Sequence, residues 1–189
     1  MSPSKSSSSL KNKNQGRKNM QEEKILFNAT LCFPVRGDEI LLGRKMKKIG
    51  QGCWNGYGGG IENGETPEQS MLRELKEEAG VTACADALEK VAVMCFHNTK
   101  ADGGFFVCKV HIYFLHKWEG DFQTTDEINN PTWFKKKRLP LKEMMLADRE
   151  WLPAVLSGKK IIGEAKYGPL QKTLLGKVDF QFVTSFVDN

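Results

Sequence analysis

Apolar residues along the chain follow two periods. Ile25–Val35 is rich in apolar and β-branched residues and predicts a strand, which the Arg36-Gly37-Asp38 turn returns into a second strand over Glu39–Leu42. Val91–His97 and Phe105–His116 predict another hairpin around Asp102-Gly103-Gly104. Along its second strand, Val107, Lys109, His111, Tyr113 and Leu115 share one face, and Cys108, Val110, Ile112 and Phe114 the other. Thr132–Phe134 reads as a short strand after Pro131, and Val178–Val187 as extended. The period becomes helical between Pro67 and Ala79. Thr66 suits the N-cap, Pro67 the first helical position, Gln69 completes a capping box, and Gly80 follows the end. Leu72, Leu75 and Ala79 form its expected core face. A second helical pattern runs over Leu141–Leu156, interrupted by Pro153. Strands mixed with two helices predict an α/β or α+β domain.

Between the second strand and the first helix, residues 43–65 hold eight glycines. A loop region of that length inside a compact domain is usually functional. Gly56, Gly58, Gly59 and Gly60 let backbone approach a phosphate or metal closely, and the following helix N-terminus adds partial positive charge. On that helix, Glu74, Glu77 and Glu78 fall at i, i+3 and i+4 and share a face. Such a cluster is either a solvated acidic face or a site for a hard divalent cation, for which carboxylate oxygen is the preferred donor. Arg73 is placed to pair with Glu77, leaving two of the three charges uncompensated.

Gly59, Glu65 and Arg73-Glu74-Leu75-Lys76-Glu77-Glu78-Ala79-Gly80-Val81 stand at the spacing G-x5-E-x7-R-E-U-x-E-E-x-G-U, where U is aliphatic. This resembles the complete box of the Nudix hydrolases, and every specified position matches. Seven fixed residues coincide by chance on the order of 10⁻⁸ per window. The resemblance implies a Nudix α/β/α sandwich with a mixed β-sheet, the box helix on one side and a C-terminal helix on the other. It implies Mg²⁺, with Mn²⁺ as a substitute, held by Glu74, Glu77, Glu78 and the Gly58 carbonyl. It implies Glu77 and Glu78 as catalytic carboxylates and Arg73 as the residue that orients a box glutamate. A glutamate outside the box serves in several relatives; Glu127, beside Asp126, is its best match here, and a plain loop charge is the alternative.

Beyond the box, residues 26–165 resemble the branch that hydrolyses oxidised purine nucleoside triphosphates, the 8-oxo-dGTP diphosphatases. Leu41–Lys47 and Gly52–Gly59 carry that likeness. It implies substrate contacts at Thr30, Lys45, Asn55, Gly58 and Gly59. Asn55 either reads a purine edge, having both a donor and an acceptor, or holds its turn; Trp54 reads as core. Lys142–Pro153 is similar to a segment in which a tryptophan stacks on the base and two aspartates read it. Met145 stands for that tryptophan, Ala147 for the first aspartate and Ile49 for a pocket aromatic, and Asp148 remains. Asp148 is a base-reading residue or the N-cap of the next helix. Losing the indole and one carboxyl should weaken base binding by about 1–3 kcal/mol each.

Composition narrows the remainder. The chain has 189 residues, with 28 basic and 23 acidic side chains. Residues 1–20 contain five of the basic ones and no acidic one, so the rest is balanced. A disordered basic tail is expected over 1–24, with Met20 a second possible start, and a catalytic domain over 25–189. The tail's single arginine and few apolar residues do not suit a mitochondrial presequence, and no secretory signal is expected. The balanced domain predicts no stable nucleic-acid partner, and no apolar run reaches the roughly 18 residues of a membrane span. Five cysteines without a C-x-x-C pair point to a reducing, cytoplasmic setting. The expectation is a monomer acting on a purine nucleoside triphosphate. The alternatives are another nucleoside diphosphate derivative, such as ADP-ribose or a dinucleoside polyphosphate, an RNA cap, or a non-catalytic binding module.

Overall fold

The structure, a computed structural model, describes residues 26–186. The tail predicted over 1–24, Ile25 and positions 187–189 lie outside the described residues. The first hairpin forms as its turn demands: β1 (Asn28–Arg36) pairs antiparallel with β2 (Glu39–Lys45), Val35 opposite Ile40. The short β3 (Trp54–Asn55) extends β2 on its outer side, a strand hidden within the glycine-rich stretch.

The helix α1 (Pro67–Ala79) has the predicted bounds. The Thr66 hydroxyl accepts from the Gln69 amide at 3.2 Å, and the Gln69 side chain accepts from the Thr66 amide at 2.8 Å. Its buried stripe is Met71, Leu75, Glu78 and Ala79. Leu72 is only half-buried, contrary to the predicted core face, because it sits at the edge of that i, i+4, i+7, i+8 stripe.

β4 (Leu88–Thr99) and β5 (Phe105–Leu115) form the second hairpin. β5 also pairs parallel with β1, and β4 parallel with a strand absent from the sequence reading, β7 (Lys160–Tyr167). β8 (Asp179–Val183) closes that edge against β7. The order β3-β2-β1-β5-β4-β7-β8 makes a mixed sheet. β6 (Ile128–Lys135) pairs with β2 and is longer than the predicted Thr132–Phe134. Pro131 is tolerated inside it because the ladder shifts register there, between Leu42 and Arg44.

The second helix, α2 (Asp148–Leu156), is shorter than predicted. Leu141–Glu143 is a separate 3₁₀ turn, and Met144–Ala147 is not helical. α2 and α1 cover opposite faces of the sheet. Ile112, Phe33, Leu42 and Met94 pack with Trp151 and Leu152 on one side. Tyr113, Leu115, Cys32 and Leu41 pack with Met71 and Leu75 on the other. The alternation read along β5 thus divides two cores. Each fully buried apolar side chain contributes about 1.5–3 kcal/mol. Among the described residues no helix is long and apolar enough to cross a membrane.

Candidate functional site

Arg73 organises the acidic face of α1. Its guanidinium donates to both oxygens of Glu65 at 2.7 and 3.0 Å, to Glu74 at 2.9 Å, to Glu77 at 3.1 Å and to the Gly60 carbonyl at 3.0 Å. This bidentate pair draws Glu65 down to about 2. Glu78 points the other way, into the protein, where its carboxylate accepts the Gly58 amide at 2.8 Å. Burial raises Glu78 to about 7, against the pull of that amide and of Lys45. Glu74 lies against Gly59: a Cβ on that glycine would stand 2.5 Å from its carboxylate and push that carboxylate aside.

These groups open into a cavity of about 220 Å³. Thr30, Lys45, Asn55, Gly58, Gly59, Glu74, Glu78, Glu127, Met145 and Asp148 all line it. Of the residues singled out in the sequence, Arg73 and Glu77 stand outside this lining, on the solvent side of the helix. Thr30 projects from β1 and its Oγ1 is buried without a partner. Asn55 uses its carbonyl oxygen to accept the Gly56 amide at 2.8 Å, which leaves its amide group as the donor available to a ligand. Trp54 is buried and packs edge-on against Phe134, as its core reading expects.

Asp148 is not an N-cap. Ala147 occupies the cap position, and no side chain caps the helix. Asp148 Oδ1 accepts the Trp151 indole N–H at 3.0 Å, and Oδ2 is buried without a partner. Burial raises this carboxyl to about 7. Met145 packs with its sulfur against Gly50, which ties the β2–β3 loop to the cavity mouth.

Among the described residues no three carboxylate, thiol or imidazole groups converge to hold an ion. Arg73 draws Glu74 and Glu77 one way, Glu78 turns inward, and Lys48 Nζ holds both oxygens of Glu127 at 2.7 and 2.9 Å. The donor set nonetheless fits a hard divalent cation. It is all oxygen, its carboxylates outnumber their local cations, and the buried Glu78 carboxyl is the group whose ionisation such an ion would favour. The sequence reading missed Glu65 as the main partner of Arg73, and it missed Lys48. It also missed the inner wall of Phe96, Asn98, Phe106, Tyr167 and Gln171. Strand alternation puts Phe96, Asn98 and Phe106 on the α2 face, but nothing local marks Gln171.

The NUDIX domain model matches residues 26–155. The oxidized purine nucleoside triphosphate hydrolase of Danio rerio is 36% identical over 138 residues, 73% of this chain and 85% of that protein. The mouse (Mus musculus) protein of the same name is 33% identical over the same shares of each chain. Among solved structures, the mutator MutT protein of Bacillus halodurans superposes with a TM-score of 0.64 at 25% identity, covering 83% of this chain and 97% of that one. Members of this family generally use divalent metal ions. The box on α1, the mixed sheet between two helices and these likenesses agree: the chain belongs to the Nudix hydrolase family.

Proposed function

We propose that the chain hydrolyses oxidised purine nucleoside triphosphates such as 8-oxo-dGTP to the monophosphate and pyrophosphate. Mg²⁺ is the metal, with Mn²⁺ as a substitute, and the role is cleansing of the nucleotide pool in the cytoplasm by a monomer without a stable nucleic-acid partner. One observation carries this reading. A single cavity has carboxylates Glu74, Glu78 and Glu127 on its walls, together with two buried, unpartnered polar atoms, Thr30 Oγ1 and Asp148 Oδ2. Buried polar atoms are normally satisfied, so these await a polar ligand. The names of the Danio rerio and mouse relatives support the same substrate class.

The divalent cation, when bound, neutralises phosphate charge and acidifies a water. Glu74, Glu77, Glu78, the Gly58 carbonyl and Glu127 are the groups that would hold it. Water oxygen bonds to phosphorus, the α–β anhydride bond breaks, and the water's proton passes to a carboxylate of this set. Arg73 holds Glu74 and Glu77 in place. Lys45 lies close enough to Glu78 and Asp148 to favour the charge on both, a position from which it reaches a phosphate between them. Thr30, the Asn55 amide and Asp148 orient the base, and Met145 packs on it. With its carboxyl near 7, Asp148 Oδ2 meets either a donor or an acceptor on the base edge.

Met145, Ile49 and Ala147, which stand where the similar branch has aromatic and acidic groups, favour one second reading: a larger nucleoside diphosphate derivative such as ADP-ribose. A turnover screen with Mg²⁺ over oxidised and ordinary nucleoside triphosphates, ADP-ribose and capped RNA decides between them. Highest kcat/KM on an oxidised purine triphosphate is expected, and highest kcat/KM on ADP-ribose would replace the first reading with the second.

A further inference from the structure

The inner end of the cavity contains a polar pair that the phosphate and metal chemistry does not use. Asn98, on β4, is 3% exposed. Its amide nitrogen donates to the Phe96 carbonyl at 2.8 Å, and its carbonyl oxygen accepts from Gln171 Nε2 at 2.7 Å. Both ends of the Asn98 side chain are thereby fixed. Gln171 is half-buried, lines the cavity, and keeps Oε1 and its second N–H without a partner among the described residues.

The backbone that presents Gln171 is strained. Leu170 and Gln171 have φ of 55° and 54°, two consecutive non-glycine residues in the left-handed region. The turn is pinned against relaxation. Gly168 N–H donates to Thr173 at 3.0 Å, Leu175 N–H to Lys166 at 2.7 Å, and the Thr99 hydroxyl to Tyr167 at 3.0 Å. Strain maintained by its surroundings concentrates at ligand sites.

Tyr167 relates this pair to Asp148. Its backbone lies beside Asn98 in the β4–β7 ladder. Its hydroxyl accepts the amide of Ala147, the neighbour of Asp148, at 2.9 Å. The Asn98–Gln171 pair thus stands by the backbone of Tyr167 and Asp148 follows the residue bound to its hydroxyl, and all four line the same cavity. We propose that Gln171 is a specificity-determining residue whose amide, clamped by Asn98, reads the imidazole edge of a purine while Asp148 reads the opposite edge. This rests on the purine triphosphate reading of the cavity. Oxidation at C8 converts that edge from an N7 acceptor beside C–H into an N7–H donor beside a carbonyl. A carboxamide matches the oxidised edge with both its groups, Oε1 accepting N7–H and Nε2 donating to the oxo group, and the ordinary edge with one.

The experiment is steady-state hydrolysis of 8-oxo-dGTP and dGTP by the full chain with Mg²⁺, for the native protein, Gln171→Met and Gln171→Asn. Asn tolerates the left-handed backbone but falls one methylene short. Both variants are expected to raise KM for 8-oxo-dGTP about tenfold, where two contacts are lost, and dGTP KM only about threefold, where one is lost, with both kcat values within about twofold. A melting temperature lowered by only a few degrees is expected in both variants, because each leaves the buried Asn98 oxygen without its Gln171 donor. An equal change on both substrates, no change, or a common fall in kcat with lower thermal stability would overturn the assignment. If the native protein hydrolyses neither triphosphate, the purine reading itself fails and takes this inference with it. Native turnover with unaltered discrimination in the variants refutes the Gln171 assignment alone.

Discussion

Trp151 donates its indole N–H to Asp148 Oδ1 and leaves Oδ2 as a bare, buried oxygen in the cavity. One oxygen of the carboxyl is held by the indole, and the other is the one that the proposed function assigns to the base. Asp148→Asn keeps an acceptor for Trp151 but replaces the second oxygen with an amide. KM for oxidised purine triphosphates should rise about tenfold or more, since a mismatched polar contact costs about 1–3 kcal/mol, while pyrimidine triphosphates respond little. Parallel KM measurements check this; an equal effect on both classes would make Asp148 merely structural.

The same substitution has a pH signature in stability. Burial raises Asp148 to about 7, well above its ordinary value. Between those values the folded chain keeps a proton that the unfolded chain has released, so stability falls as pH rises through this window and levels off above about 7. The asparagine variant has no such proton to lose. The melting-temperature difference, Asp148→Asn minus native, should therefore grow in the variant's favour from pH 5 to pH 8. A difference that is flat or shrinks over that range contradicts the buried, proton-holding carboxyl.

Glu77 is the most exposed of the three box glutamates that share a face, with 59% of its side chain accessible. Its one ion pair among the described residues, with Arg73, is of the solvent-screened kind worth about 0–1 kcal/mol. Glu77→Gln should therefore melt within about 2 °C of the native protein yet lose turnover by more than about a hundredfold at saturating Mg²⁺. Retained turnover would remove Glu77 from the metal set.

The box helix was legible because its signals are local: Thr66 and Gln69 cap it, Gly80 ends it, and Glu74, Glu77 and Glu78 fall at i, i+3 and i+4 along it. Strand β7 was not. Lys160–Tyr167 contains Gly163 and Ala165, weak strand formers, and Gly163 is required by a partner distant in sequence: a Cβ there would meet Phe180 at 2.6 Å. The α2 boundary failed for a related reason, since Met144 and Ala147 are buried by tertiary contacts rather than by helical periodicity. In the site, residue types at the box spacing could be read directly. The Lys48–Glu127 and Asn98–Gln171 pairs could not, because each joins segments more than 70 residues apart.

Arg73 serves three carboxylates with one planar fork. Lysine would keep the charge but lose the bidentate bond to Glu65 and the simultaneous bonds to Glu74 and Glu77. Arg73→Lys is expected to reduce kcat at least tenfold and to shift the metal dependence to higher concentration, with thermal stability lowered by a few degrees. Titrating activity against Mg²⁺ checks it. An unchanged metal midpoint would show that Glu74 and Glu77 need no positioning by this residue.

Lys48 sets a competition at Glu127. Its ammonium holds both carboxylate oxygens, and Lys48 itself is held at φ 62° in the loop between β2 and β3. If Glu127 joins the metal set, the incoming cation must displace Lys48 from it. Lys48→Met removes the competitor and preserves the aliphatic stem. The Mg²⁺ concentration giving half-maximal rate should then fall, by about threefold for an exchange worth roughly 0.6 kcal/mol, within the range of partly exposed ion pairs. Glu127→Gln should move the midpoint in the opposite direction, and the double variant should resemble Glu127→Gln alone, because Lys48 has nothing left to compete for. Additive shifts in the double variant would mean that Lys48 acts on the phosphates directly and that its pairing with Glu127 is incidental.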